Sequence, residues 1–307
     1  MHHRRRTGLI VFFAGILVAR QALAQSDYRL RADSTLVVIP VGVTDASNHF
    51  VLNLGKDRFS VFEDGVKQRV TQFAGEDAPL SIGLLVDVSG SMGRKLAISQ
   101  SAVSEFLKTM NPQDEEFLIE FSDHAELAMG FTRDSNAIKN KMNSLQSAGL
   151  TALLDAVHLG LVEMKNAKNP RKALLILSDG GDNNSRYSAS EIKEIVRQAD
   201  VQTYCMGVFE SVLFPGLTTA EVSGPRLLAE ISEQTGGRLF PARSLSALPS
   251  IARRIGVELR NEYILAYSPS NSTRDGTFRK VEVKLQAPDG LSGLKARWRS
   301  GYYAPAR

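Results

Sequence analysis

Apolar and polar positions follow two regimes along this chain. From Gln25 to about Ala78 the apolar residues alternate or gather in short runs. Thr35–Val43 is rich in β-branched residues, Phe59–Phe62 alternates, and Asp64-Gly65 supplies hairpin chemistry into a strand over Val66–Phe73. No helical period appears there, so a small β module is expected, with Pro40 placing its first strand at an edge or a bulge. From Leu80 onward, apolar runs alternate with segments of helical period. Strands are predicted at 80–87, 116–121, 172–178 and 201–208, with a short one near 238–240 and an edge strand at 125–129. Helices are predicted at 94–109, 134–144, 152–166, 189–199, 224–235 and 244–259. In the first of these Leu96, Val103, Phe106, Leu107 and Met110 share one side; Ser188 or Ser190 caps the fourth, with Glu191 and Glu194 near its start. Such alternation builds an α/β, doubly wound, mostly parallel sheet covered on both faces. After Gly256 strands return at 261–267, 277–285 and 294–303, separated by turn chemistry at Arg274–Gly276 and Pro288–Gly290.

The predicted organisation has four parts: a signal peptide over 1–24, an N-terminal β module over 25–78, the α/β domain over 79–256, and a C-terminal β segment over 257–307. The N-terminal segment is too short to bury a good core alone. The two flanks are therefore expected to pair into one β-sandwich-like module with the α/β domain inserted between them; two separate β appendages are the alternative. The leader begins with Arg4-Arg5-Arg6, continues as the apolar run Gly8–Ala19, and ends in Ala22-Leu23-Ala24, a small-x-small cleavage site. The apolar run is short for a bilayer span, which favours cleavage after Ala24 over a membrane anchor. A periplasmic or extracellular protein with no stable membrane anchor is expected. Arg5-Arg6 loosely matches a twin-arginine signal, but the strongly apolar run favours general secretion.

The leader changes the charge argument. The whole chain of 307 residues has 37 Lys+Arg against 33 Asp+Glu, while residues 1–24 hold four arginines and no acid. The remainder is balanced, and no basic patch with interleaved aromatics points to nucleic acid. The single cysteine, Cys205, excludes an intrachain disulfide framework and lies in an apolar strand segment, as a buried inert thiol does. His49, His124 and His158 lack a second His or Cys at ligand spacing and are expected to be structural or solvated. Lys295, Arg297 and Arg299 alternate around Trp298, which predicts a solvated cationic face over a core tryptophan.

The candidate chemistry sits at element ends. Asp87, Ser89 and Ser91 follow the apolar run Leu80–Val86, so a carboxylate and two hydroxyls can share one small space. Gly90 and Gly93 let the backbone turn away from the strand. Thr151 opens a helix-like segment, and Asp179 ends the strand-like run Lys172–Ser178. Oxygen donors of this kind suit a hard divalent cation: Mg²⁺ first, with Mn²⁺ or Ca²⁺ as substitutes. The lack of imidazole and thiolate ligands argues against zinc. Asp155 and Asp182 are candidates for holding a ligand hydroxyl or a coordinating water, with helix surface and loop solvation as the alternatives. The two carboxylates are expected to repel across an empty site, so that removing Asp179 relieves repulsion.

The pattern Asp87-x-Ser89-x-Ser91, then Thr151, then Asp179 resembles the metal-ion-dependent adhesion site of the von Willebrand factor type A domain. The resemblance runs from about Pro79 to about Ile255. The stretch Phe59–Gly65 before it resembles an extended module of a bacterial exported subgroup of that family. One departure is Gly149-Leu150-Thr151, where family members often have Gly-Gly-Thr; Leu150 is expected to narrow the loop without removing a ligand. The resemblance implies a doubly wound domain whose metal captures an Asp or Glu carboxylate of a protein partner. Alternatives are an envelope component whose metal only stabilises the fold, or a metal-assisted hydrolase. No His-Glu-x-x-His, Gly-x-Ser-x-Gly or phosphate-cradling loop supports an enzyme.

Overall fold

A computed structural model describes residues 36–47, 49–75, 78–209, 219–242 and 244–306. The leader read at 1–24 lies outside the described residues.

Four strands come first: β1 (Val37–Thr44), β2 (Phe59–Glu63), β3 (Val66–Gln68) and β4 (Val70–Gly75). Asp64 and Gly65, at φ +47° and +82°, make the two-residue turn between β2 and β3, a conformation Gly adopts without strain. The α/β region follows as β5 (Leu80–Asp87), α1 (Leu96–Leu107), β6 (Glu115–Phe121), β7 (Ala125–Thr132), α2 (Ser135–Asn143), α3 (Leu153–Glu163), β8 (Arg171–Ser178), α4 (Ala189–Gln198), β9 (Gln202–Gly207), α5 (Thr219–Glu233), β10 (Leu239–Pro241) and α6 (Leu248–Arg260). Four strands close the chain: β11 (Glu262–Tyr267), β12 (Phe278–Leu285), β13 (Lys295–Arg297) and β14 (Gly301–Tyr303).

The central sheet has the order β10-β9-β8-β5-β6-β7, parallel except for the antiparallel edge strand β7. Every residue of β5 is buried, as a strand covered on both faces requires. One face packs Leu84, Val86, Phe106, Leu118 and Ile255 toward α1 and α6; the other packs Leu85, Phe117, Leu153, Val157 and Ile231 toward α3 and α5. Gly83 makes the second face possible, because a Cβ there would stand 2.2 Å from the Phe117 ring and 2.6 Å from Leu174. The chain leaves β5 for β6 on one side and later returns to its other side as β8. The carboxyl ends of β5 and β8 therefore flank a topological switch point, where doubly wound sheets bind ligands.

Strands from the two ends of the chain pair in two further sheets, β13-β1-β11-β4 and β14-β12-β2-β3. Val37, Ile39, Val41 and Val43 alternate inward from β1 and share one apolar cluster with Val61, Tyr263, Leu265, Val281 and Val283. Two expected strands are each divided. The run 66–73 breaks at Arg69, with β3 pairing β2 in one sheet and β4 pairing β11 in the other. The run 294–303 breaks after Arg297, with β13 on β1 and β14 on β12. Trp298 Nε1 donates to the Val281 carbonyl at 3.1 Å, and Arg299 turns inward to Asp200 at 2.5 Å. Lys295 and Arg297 are exposed as expected, but Arg299 is buried and ion-paired and does not join a solvated face. Pro40 pairs Ile264 on one side, while on the other β13 reaches only Gly42–Thr44, so the proline occupies a locally open edge.

Cys205 lies fully buried in β9, and burial pushes its thiol pKa well up. Native protein is therefore expected to react with a thiol reagent far more slowly than free cysteine. A labelling time course at neutral pH checks this, and labelling at the free-cysteine rate would contradict it.

Candidate metal centre

The register places the two carboxylates at adjacent strand ends. Val86 lies opposite Leu177 across the β5–β8 pair, so Asp87 ends β5 while Asp179 immediately follows β8. Asp87 is fully buried. Its Oδ1 accepts the Ser89 N–H at 2.9 Å and its Oδ2 accepts the Ser178 hydroxyl at 2.6 Å. Beyond it Gly90–Met92 form a 3₁₀ turn that presents Ser89 and Ser91, whose hydroxyl oxygens are 3.1 Å apart. Ser89 is buried and Ser91 exposed, so the group opens to solvent on the Ser91 side.

The loop before Thr151 is laced to this turn by three hydrogen bonds. Ala148 N–H donates to Val88 O at 2.8 Å, Gly90 N–H to Gly149 O at 3.0 Å, and the Ser147 hydroxyl to Ser89 O. Gly149 sits at φ +82°, and a Cβ there would stand 2.7 Å from the Asp123 carboxylate. That carboxylate accepts the Leu150 N–H at 2.7 Å. Thr151 is buried and tied to the loop after β8: its N–H donates to Asn183 Oδ1 at 2.9 Å, and its carbonyl accepts the N–H groups of Asn183 and Asn184. Leu150 is 49% exposed, so its side chain points outward and does not narrow the loop.

Asp155 and Asp182 are engaged in shaping the loop. Asp155 accepts the Arg186 and Tyr187 N–H groups and the Arg186 guanidinium. Burial pushes the Asp155 pKa up, but these hydrogen bonds outweigh it and leave the group below the usual carboxylate range. Asp182 Oδ1 accepts the Leu154 N–H and the Ser185 hydroxyl, and Ser185 Oγ in turn accepts the N–H groups of Leu154 and Asp155. The α3 N-terminus is thereby capped from the neighbouring loop. Burial raises the Asp182 pKa. The histidines lie in other settings. His49 contacts Asp45 at 3.3 Å, His124 lies 3.9 Å from Glu126, and His158 stacks on Tyr187 with ring centroids 4.3 Å apart.

Lys95 escaped the sequence reading. Its ammonium donates to Asp179 Oδ2 at 3.1 Å, and both side chains are about 5% exposed. Asp179 Oδ1 also accepts the Gly181 N–H at 3.2 Å. Asp179 repels Asp87 as expected, but it is also the partner of a buried cation, so its removal does not simply relieve repulsion. A signal was present, because a lysine at the N-terminus of a helix opposes the helix dipole and calls for a compensating anion. Ser178 and Asn183 were missed for a different reason, since each acts through a pairing that only the register creates.

Among the described residues, no cluster of three or more His, Cys, Asp or Glu side chains is placed to hold a metal. The set here consists of two carboxylates and three hydroxyls, all hard oxygen donors. Two features fit a small octahedral cation. Adjacent ligands at the ordinary magnesium–oxygen length stand about 3 Å apart, and the Ser89 and Ser91 hydroxyl oxygens are 3.1 Å apart. Burial, together with the charge of Asp179, pushes the Asp87 pKa up to about 6, as a carboxylate short of positive charge behaves.

That raised value sets a pH dependence. Folded metal-free protein holds a proton on Asp87 that the unfolded chain, with its ordinary value of 3.8, has already released. The contribution is full below about pH 4 and is lost as pH rises through about 6, by roughly 3 kcal/mol. In EDTA, the stability of wild type relative to Asp87→Asn is expected to fall across that window in urea titrations. A flat difference would contradict it.

Residues 82–181 match the von Willebrand factor type A domain, a span that holds all five candidate ligands. Mouse inter alpha-trypsin inhibitor heavy chain 4 is 28% identical over 190 residues, covering 55% of this chain and 20% of that protein. The chain spans 66% and 60% of two further bacterial relatives. Among solved structures, a von Willebrand factor type A protein from Catenulispora acidiphila superposes with TM-score 0.51 at 13% identity, over 89% of this chain and 64% of that one. Proximal thread matrix protein 1 from the mussel byssus, in a structure with a zinc-occupied MIDAS motif, also gives 0.51, at 18% identity over 64% of this chain and 49% of that one. The sheet order, the switch point at β5 and β8, and the match over 82–181 support a von Willebrand factor type A domain in the α/β region of this chain.

Proposed function

We propose that the protein is an exported, non-enzymatic binding module that takes a divalent cation and through it captures an Asp or Glu carboxylate of a protein partner. The observation that carries this reading is the pair of hydroxyls 3.1 Å apart on the turn after buried Asp87, with buried Asp179 at the next strand end. Ser89, Ser91 and Thr151 would supply neutral oxygens, and Asp87 and Asp179 negative charge, directly or through water. When bound, the cation supplies an electrophilic position for a carboxylate oxygen. The Ser178 hydroxyl and the Ser89 N–H hold the Asp87 carboxylate in one orientation, and the bonds from Gly90 to Gly149 and from Thr151 to Asn183 fix the surrounding loops.

Mg²⁺ is the proposed ion, with Mn²⁺ or Ca²⁺ as substitutes. The zinc-occupied motif of the mussel protein weakens the sequence argument against zinc, so ligand softness alone does not choose the metal. Export rests on the basic start, the apolar run and the Ala22–Ala24 cleavage pattern. Among the described residues no helix is long and apolar enough to cross a membrane. The non-enzymatic reading rests on the missing hydrolase motifs and on the separate engagements of His49, His124 and His158. The test is a pull-down from an envelope fraction with wild type and Asp87→Ala, each with and without EDTA. Partners should be lost from wild type in EDTA and from the variant throughout. Partners retained in both cases would favour a structural role.

A further inference from the structure

The five oxygen donors do not account for Lys95, whose ammonium lies inside the same group of side chains. A buried ammonium at a helix N-terminus is unfavourable on two counts, loss of hydration and opposition to the helix dipole. Here it contacts only one of the two carboxylates. Lys95 donates to Asp179, while both Asp87 oxygens are occupied by Ser89 and Ser178. With the two aspartates ionised and the lysine charged, the group carries one net negative charge. A divalent cation turns that into one net positive charge, which a single incoming carboxylate cancels. Without Lys95, the same donors and cation would be neutral before any partner arrived. In a buried site an uncompensated unit charge dominates the other contributions.

We propose that Lys95 couples the two binding events: it weakens the affinity of the bare site for a divalent cation and raises the demand of the loaded site for a carboxylate. The inference rests on the metal-binding reading above. It makes cation and carboxylate reciprocal effectors, each tightening the other by the same factor. The lysine thus acts as a specificity element against metal loading in the absence of a partner.

Calorimetric titration of the mature protein with Mn²⁺, in chloride and in acetate at matched ionic strength, tests this with acetate as the carboxylate probe. Wild type should bind Mn²⁺ roughly tenfold more tightly in acetate. Lys95→Gln should bind Mn²⁺ in chloride at least about tenfold more tightly than wild type and lose the acetate enhancement. Lys95→Arg, which keeps the charge, should behave as wild type. Equal Mn²⁺ affinity in wild type and Lys95→Gln, with equal acetate enhancement, would overturn the role of the lysine and leave the metal site standing. Failure of wild type and Lys95→Gln alike to bind Mn²⁺ would remove the metal-binding reading and this inference together. Should Lys95→Gln fail to fold, the wild-type arm still decides, since no acetate enhancement there refutes the coupling.

Discussion

Mg²⁺ or Mn²⁺ at about a hundredfold excess over its dissociation constant is expected to stabilise the wild-type protein by about 2.7 kcal/mol, and Asp179→Ala is expected to abolish that shift. The variant should also be less stable than wild type in EDTA, by about 3–5 kcal/mol, because it leaves a buried ammonium without its anion. Electrostatics between carboxylates alone would give the opposite sign, since Asp179 raises the Asp87 pKa and its removal ends that repulsion. The Lys95 contact decides the sign: it lies at hydrogen-bond distance, and both partners are about 5% exposed. Thr151→Ala removes one neutral oxygen and should reduce the metal-induced shift without abolishing it. Urea unfolding with EDTA and with saturating metal checks all three proteins. An Asp179→Ala variant as stable as wild type in EDTA, with an intact metal shift, would contradict the account.

The second large effect is expected at the other end of the sheet. Arg171, at the start of β8, donates to Glu262 Oε2 at 2.6 Å and to the Leu259 carbonyl at 2.5 Å, with both charged side chains 2% exposed. Gln202 and Tyr204 donate to the other Glu262 oxygen, so one carboxylate at the start of β11 gathers donors from β8 and β9. Burial pushes the Glu262 pKa up, and the Arg171 charge offsets part of that. Arg171→Leu strands this carboxylate and should cost about 3–5 kcal/mol. Arg171→Leu combined with Glu262→Leu should recover much of the loss, because no charge is then left unpaired. Urea midpoints of the single and double variants measure it. A single-variant loss under about 1 kcal/mol would show that water reaches the pair.

Some of this architecture was readable from periodicity and some was not. Strands buried on both faces appear as unbroken apolar runs, which is why 80–87 and 172–178 are plain in the sequence. Asp87 and Asp179 stand out because a carboxylate abruptly ends each run. Changes of sheet leave no such mark. Val66–Phe73 and Leu294–Tyr303 read as single strands, yet Arg69 and Trp298–Ser300 carry the chain from one sheet to the other. Alternation likewise assigned Arg299 to solvent, whereas the bend after Arg297 turns it toward Asp200. Lys95 carried only the weak mark of its place at the N-terminus of α1. A lysine beside Arg94 in a glycine-containing turn looks like a solvated pair, and only the approach of Asp179 across the strand ends makes its burial tolerable. The chemistry at element ends was legible; the long-range pairings that tune it required the fold.

Asp87, Ser89, Ser91, Thr151 and Asp179 are proposed to hold one divalent cation together. Anomalous diffraction from wild-type crystals grown with Mn²⁺ tests this most directly. One strong manganese peak is expected among these five side chains, with Lys95 still beside Asp179, and no such peak in Asp87→Ala crystals. Manganese bound only elsewhere, or a wild-type site without a peak at saturating Mn²⁺, would contradict it.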